Sequence, residues 1–264
     1  MHTRNLLGKL TQLRRARPAL WGRFVGGWIR RQHTGFVPCA VPGGRQLLQV
    51  PLRDFYESYD YFCEHAEGCG ELDFFLARMR SGDVFYDIGA FRAAYAACAQ
   101  TRFSDAIRVH LFEPVPRNVA VIREIVLLNG FTGFTINPLA VGDDNCLSGS
   151  VSETNSMLSP GIATGENLIP AITLDDYIGQ GAPPPTIIKI DVEGFELQVL
   201  RGARGCLERH RPRLWLEIHP DLLATQDRCP DDAFNFLTEL GYAISCYSDY
   251  HSPSANISYH IWCV

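Results

Sequence analysis

Four side chains near the middle of this chain have the types needed to handle a proton or a cation: Asp191, Glu193, Glu217 and His219. Asp191 and Glu193 follow the apolar run Ile187, Ile188 and Ile190, which reads as a strand buried on both faces, as in a parallel sheet. Glu217 and His219 close a second such run, Leu214 to Ile218. Ligands of open α/β sheets bind outside the carboxyl ends of the strands, so the four are placed to meet over one pocket. Two carboxylates at one strand end are a poor choice for stability alone. His219 has a pKa range suited to a general base near neutrality, although a structural histidine before Pro220 would look the same. Transfer of a group to an acceptor hydroxyl requires such a base. No metal is expected. The alternative is that Asp191, Glu217 and His219 hold Mg or Mn, which carboxylate and imidazole suit.

A second set of residues fits a nucleotide-type cofactor. Asp87-Ile88-Gly89-Ala90 ends an earlier apolar run and opens a loop into a helix. Glycine lets backbone approach a cofactor closely, and a helix N-terminus offers N–H groups to a carboxylate. Glu113 ends the next strand, where an acid can accept hydrogen bonds from both ribose hydroxyls; the plainer reading is a helix cap before Pro114. An acid there without a phosphate-cradling G-x-G-x-x-G favours S-adenosylmethionine over a dinucleotide. Ala140 and Val141, within Leu139-Ala140-Val141-Gly142, follow the third strand and contact the adenine edge by analogy.

Alternating strands and helices must position these groups, the sign of a parallel sheet with crossover helices. Strands are predicted at Val84 to Ile88, Ile107 to Phe112, Phe134 to Asn137, Ile187 to Asp191 and Leu214 to Ile218. Helices are predicted near Leu72 to Met79, Tyr95 to Gln100, Asn118 to Leu128, Phe195 to Leu200 and Asp231 to Leu240. Gly194 permits the tight turn into the fourth of these helices. Asp175 and Asp176 read as helix-start residues, where acids favour the dipole. Residues 143–172, rich in Gly, Ser, Asn and Thr, read as an insert that covers a site or forms a hairpin. Residues 241–264 read as two strands around a polar turn, Ser248 to Asn256.

The segment K-I-D-V-E-G-x-E-x-x-V-L-x-G-A resembles the hallmark of FkbM-type S-adenosylmethionine-dependent methyltransferases. It matches at Lys189, Asp191, Glu193, Gly194, Glu196, Leu200 and Gly202. VFYDIGA (Val84 to Ala90), LFEPVPRN (Leu111 to Asn118) and LWLEIHP (Leu214 to Pro220) follow the same family's order. The resemblance implies a Rossmann-like doubly wound, mostly parallel sheet with an antiparallel C-terminal hairpin. It implies S-adenosylmethionine as cofactor, held by Asp87, Gly89, Ala90, Glu113, Ala140, Val141 and Asp191. It further implies O-methylation of a hydroxyl on a saccharide or natural-product acceptor, with Asp191, Glu193, Glu217 and His219 as catalytic candidates. The chain departs from the family pattern D-x-G-A-N-x-G at two places: Phe91 stands for the asparagine and Ala93 for the last glycine. A non-catalytic binding module on the same fold is therefore an alternative, and a nucleotide-dependent oxidoreductase a weaker one.

Length and composition suit one soluble α/β domain with an appendage: 264 residues, 46% hydrophobic and 20% charged. Residues 1–53 carry ten Arg or Lys and no acid, leaving 14 basic against 29 acidic side chains in the rest. The body is too acidic for a nucleic-acid binder. Residues 4–32 combine Arg with Leu, Trp and Phe, which suits either a helix on an anionic membrane surface or one packed on the acidic body. Residues 33–50 read as a linker, so the expected division is a basic extension and linker over 1–50 and a methyltransferase domain over 51–264. Nine cysteines with no C-x-x-C pair argue for a reducing compartment. No apolar run is long enough to span a membrane, so the expected location is cytoplasmic, with possible peripheral contact at the inner face of a membrane.

Overall fold

The computed structural model describes residues 35–41, 43–44, 46–52, 54, 70–151, 158–160, 168–224, 229–246 and 259–264. The described chain opens with β1 (Phe36–Cys39) and β2 (Leu48–Pro51), then α1 (Gly70–Arg78) and β3 (Val84–Ile88). It continues through α2 (Ala94–Phe103), β4 (Arg108–Phe112), α3 (Pro116–Asn129), β5 (Phe134–Asn137) and β6 (Ala140–Val141). Next come β7 (Cys146–Val151), β8 (Leu158–Pro160), β9 (Leu168–Ile172), α4 (Leu174–Gly179), β10 (Ile187–Ile190), α5 (Glu196–Gly202) and α6 (Arg204–His210). β11 (Arg213–Ile218), α7 (Pro220–Ala224), α8 (Pro230–Glu239), β12 (Ile244–Cys246) and β13 (Tyr259–Cys263) complete it.

A seven-stranded sheet runs in the order β12-β13-β11-β10-β3-β4-β5. β11, β10, β3, β4 and β5 are mutually parallel, while β13 is antiparallel to both β11 and β12. This is the doubly wound α/β sheet with an antiparallel end that the sequence predicts. The turn predicted between the last two strands lies outside the described residues.

Side chains alternate between two faces, and both faces are buried, which is why the strands read as continuous apolar runs. Val84, Tyr86 and Ile88 of β3 join one core with Ile188, Ile190, Leu214, Leu216, Leu200 and Leu237. Phe85, one residue out of step, joins the other with Trp215, Phe75, Ile122 and Ile125. The chain leaves β3 toward β4 and β5 on one side and later returns to β10 and β11 on the other. The strand order therefore switches between β3 and β10, which is where such sheets bind ligands.

Two expectations are corrected. Residues 36–51 are no linker: β1 pairs with β2 over Phe36–Pro51, and Leu48 and Val50 are fully buried in the core. Asn129 at the end of α3 ties β2 down, accepting from Gln49 N at 2.7 Å and donating to Gln49 O at 2.9 Å. The boundary drawn at residue 50 thus falls inside a strand. The insert is also more than a hairpin, since β6, β9, β7 and β8 form a separate four-stranded sheet in that order. Asp175 and Asp176 lie in the first turn of α4, as the sequence predicts, and Asp175 also accepts from Gly205 N and Cys206 N, at 2.8 and 2.7 Å, at the head of α6. The helix expected within residues 4–32 lies outside the described residues. Among the described residues no helix is long and apolar enough to cross a membrane.

Candidate functional site

A cavity opens at the switch point, lined by Ile88, Gly89, Phe91, Phe112, Glu113, Leu139, Ala140, Val141, Asp191 and Glu193, among others. Two regions meet there. One is the loop after β3, and the other is the ends of β10 and β11.

In the loop, Gly89 adopts φ +74°, and a Cβ added to it would lie 1.8 Å from the carbonyl oxygen of Asp191. Only glycine lets the two strand ends come this close. Gly89 and Ala90 both donate to Phe112 O at 3.1 Å, and Phe91 donates to Glu113 Oε2 at 2.8 Å. These amides are therefore spent inside the protein, and the expected free donors for a cofactor carboxylate are absent at the three positions. Ala90 points into the core and Asp87 lies beneath the loop, so neither lines the cavity. Asp87 Oδ1 instead lies 3.7 Å from Lys189 Nζ, beside it on β10. Burial raises the Asp87 pKa to about 6.

Glu113 reaches the cavity from the end of β4. Its Oε2 holds Phe91 N and its Oε1 holds Val115 N, both at 2.8 Å. Burial raises its pKa to about 7 against the pull of those bonds. Its carboxylate clamps the loop with two lone pairs, takes a third bond from the Asn118 side chain and keeps one lone pair for a ligand. Ala140 and Val141 also line the cavity.

At the ends of β10 and β11 the four predicted residues do come together. His219 Nε2 lies 3.8 Å from Asp191 Oδ1, 3.6 Å from Glu193 Oε2 and 3.5 Å from Glu217 Oε1. Three further members escaped sequence reasoning. Glu196, completely buried at the head of α5, accepts from His219 Nδ1 at 2.9 Å through Oε1. Lys189 sits 3.1 Å from Asp191 Oδ2. His260 of β13 lies 3.2 Å from Glu217 Oε2, facing it across the antiparallel ladder. Lys189 and Glu196 stand within the matched hallmark segment, which was the available signal; His260 had none.

Charge fixes the protonation states. Burial works against a charged Lys189, but Asp191 and Asp87 outweigh it and hold its pKa above the ordinary value. Burial also opposes a charged His219, yet Glu196 and Glu217 raise its pKa to about 11. So paired with carboxylates and no metal ion, the imidazole is held toward its protonated form. Glu193 is the most exposed of the four, with 39% of its side chain accessible, and burial still raises its pKa. It also holds φ +52°, a left-handed conformation that costs a non-glycine residue roughly 1–2 kcal/mol.

Residues 84–244 match the methyltransferase FkbM domain. The chain belongs to the FkbM methyltransferase family. It is 29% identical over 142 residues, 50% of its length, to the hexuronic acid methyltransferase AglP of Haloferax volcanii. The chain matches about half of that curated relative, 55% of its length. In fold it is similar to an FkbM methyltransferase of Methylobacillus flagellatus, with TM-score 0.50 and 21% identity over 70% of this chain and 45% of that one. Against the family pattern, the two departures acquire a physical meaning. Phe91 and Ala93, in place of Asn and Gly, hold φ 50° and 58°. Those are the left-handed values that asparagine and glycine adopt most readily.

Proposed function

We propose that the protein transfers a methyl group from S-adenosylmethionine to a hydroxyl oxygen of a saccharide. The observation that carries this reading is one cavity lined both by the acid that follows β4, Glu113, and by Asp191 and Glu193. The residues fit the cofactor. Glu113 offers acceptor lone pairs for ribose hydroxyls, Ile88, Phe112, Leu139 and Val141 offer apolar contact for a purine, and Asp191 offers negative charge for a sulfonium or ammonium. The cofactor, when bound, supplies a methyl group already activated on sulfur.

The chain's own residues then have three tasks. Gly89 and the clamp of Glu113 on Phe91 N shape the wall against which the donor lies. Lys189 holds Asp191 in place through a buried contact. Glu193, half-exposed and lining the same cavity, accepts the acceptor's hydroxyl proton. Its raised pKa brings it nearer to working pH, the direction general-base catalysis favours. His219 stays outside this step and orders the carboxylates around it. A cluster of carboxylates suits an acceptor rich in hydroxyl donors, such as a sugar, and the resemblance to AglP supports a saccharide.

A second reading, a methyltransferase-like binding module, is favoured by the strained Phe91 and Ala93. One experiment separates the two. Purified protein is titrated calorimetrically with S-adenosylhomocysteine, then incubated with methyl-labelled S-adenosylmethionine and a panel of hexoses, hexuronic acids and oligosaccharides. The proposal expects saturable binding and label in at least one saccharide as an alkali-stable ether. Binding without transfer to any member of the panel supports the module; label recovered as an alkali-labile ester moves the acceptor from hydroxyl to carboxylate.

A further inference from the structure

We infer that Asp191, Glu217 and His219 form a binding site for one divalent cation of the Mg or Mn class, with Glu193 beside it. One ligand atom from each of the three lies within 4.8 Å of the others. The separations from His219 Nε2, 3.5 Å to Glu217 and 3.8 Å to Asp191, exceed an ordinary N–H···O bond. They fall instead between the cis and trans ligand spacings of roughly 3.0 and 4.2 Å that follow from bonds near 2.1 Å in octahedral geometry.

The imidazole is oriented for this task. Glu196 Oε1 sits 2.9 Å from His219 Nδ1, which turns Nε2 toward the three carboxylates. Ligating histidines ordinarily give their other ring nitrogen to such a carboxylate, which fixes the tautomer and raises ligand basicity. An independent feature points the same way. Glu196 is completely buried, and its Oε2 has no hydrogen-bond partner among the described residues. A buried carboxylate is tolerated when positive charge answers it. Among the described residues the cation paired with it is His219.

The local charge is also out of balance. Asp191, Glu193, Glu196 and Glu217 all lie within 4 Å of one imidazole. Lys189 is divided between Asp191 and Asp87, and His260 between Glu217 and Glu71. A proton on His219 supplies one positive charge to this group; a divalent ion supplies two. Under the hydroxyl-acceptor reading, on which this clause alone rests, vicinal sugar hydroxyls would find a cation beside the base Glu193.

The test needs neither cofactor nor acceptor, so it stands or falls apart from the methyl-transfer reading. Chelator-treated full-length protein is titrated with Mn²⁺ by calorimetry, and the complex is examined by pulsed electron paramagnetic resonance. The inference expects one Mn²⁺ per chain and a directly bonded ¹⁴N signal in the wild type. Asp191→Asn and Glu217→Gln should each weaken binding at least tenfold. Glu196→Gln, which disturbs only the orienting carboxylate, should weaken it about 10- to 100-fold. No saturable binding at millimolar Mn²⁺ by a wild type whose circular dichroism is native overturns the inference, and makes protonated His219 the counter-ion. Binding without a ¹⁴N signal overturns it equally.

Discussion

The loop after β3 and the strand ends of β10 and β11 face each other across one cavity, yet they are held by opposite means. The loop is fixed by backbone: Phe112 O takes the amides of Gly89 and Ala90, Glu113 takes that of Phe91, and two non-glycine residues are forced to positive φ. The strand ends are fixed by charge, with His219 among four carboxylates and Lys189 between Asp87 and Asp191. A backbone-held wall tolerates changes of side chain, and Phe91 and Ala93 are such changes. A charge-held wall tolerates changes of side-chain shape less well, because each removal leaves a buried charge unanswered.

Where the regions touch, the contrast predicts the largest effect. Gly89→Ala puts a methyl 1.8 Å from Asp191 O at φ +74°, and neither strand end can retreat without leaving the sheet. We expect a loss of about 4 kcal/mol or more in denaturant unfolding, the range reserved for gross backbone conflict. A loss below about 1 kcal/mol would mean that the strand ends are not packed this closely. Next comes Lys189→Met, which leaves Asp87 buried beside no cation. Breaking a buried pair on one side costs about 3–5 kcal/mol, and Asp87→Asn in the same chain should recover much of it. Failure of that rescue would shift the role of Lys189 from charge to packing.

The pH dependence sharpens the loop side. Folded Glu113 keeps its proton to about pH 7, whereas its ordinary pKa is 4.5. Between those values the native state binds more protons than the unfolded chain, so this group makes stability fall as pH rises from about 4.5 to about 7. Glu113→Gln should flatten that slope in urea melts taken at pH 5 and pH 7. The smallest effect belongs to Ala93→Gly. Relief of the left-handed strain returns about 1–2 kcal/mol. Loss of a buried methyl costs about 0.8 kcal/mol, and the freer unfolded chain a further 0.4–1 kcal/mol. The melting temperature should therefore hardly move, which explains how alanine is accommodated in a glycine's place.

Much of this was legible because buried parallel strands leave continuous apolar runs: Val84–Ile88 and Phe134–Asn137 lie where the sequence puts them. The paired acids were visible because they interrupt such runs at their ends. β1 and β2 were not visible, since Pro38, Pro42 and Gly43 read as a linker and the alternation of Leu48 and Val50 spans too few residues to register. α6 was missed because its Arg-rich surface masks Cys206 and Leu207, its buried face. Inside the site, Glu196 is hidden by its helical neighbours. His260 meets Glu217 only through an antiparallel pairing that no local pattern announces. Asp87 and Ala90, also read from the motif, are buried and are not among the residues that line the cavity.

The central proposal is a division of labour: the loop, the β5–β6 connection and Asp191 would bind the donor, and the rest of the charge-held cluster would handle the acceptor. Glu217 belongs to the cluster and does not line the cavity, so Glu217→Gln tests that division most directly. S-adenosylhomocysteine affinity is measured by calorimetry and methyl transfer with labelled donor, for wild type and variant side by side. The account predicts an affinity within about threefold of wild type, with transfer reduced about 100-fold or more, roughly 2.7 kcal/mol at the barrier. Loss of affinity matching the loss of transfer, or full transfer by the variant, would contradict it.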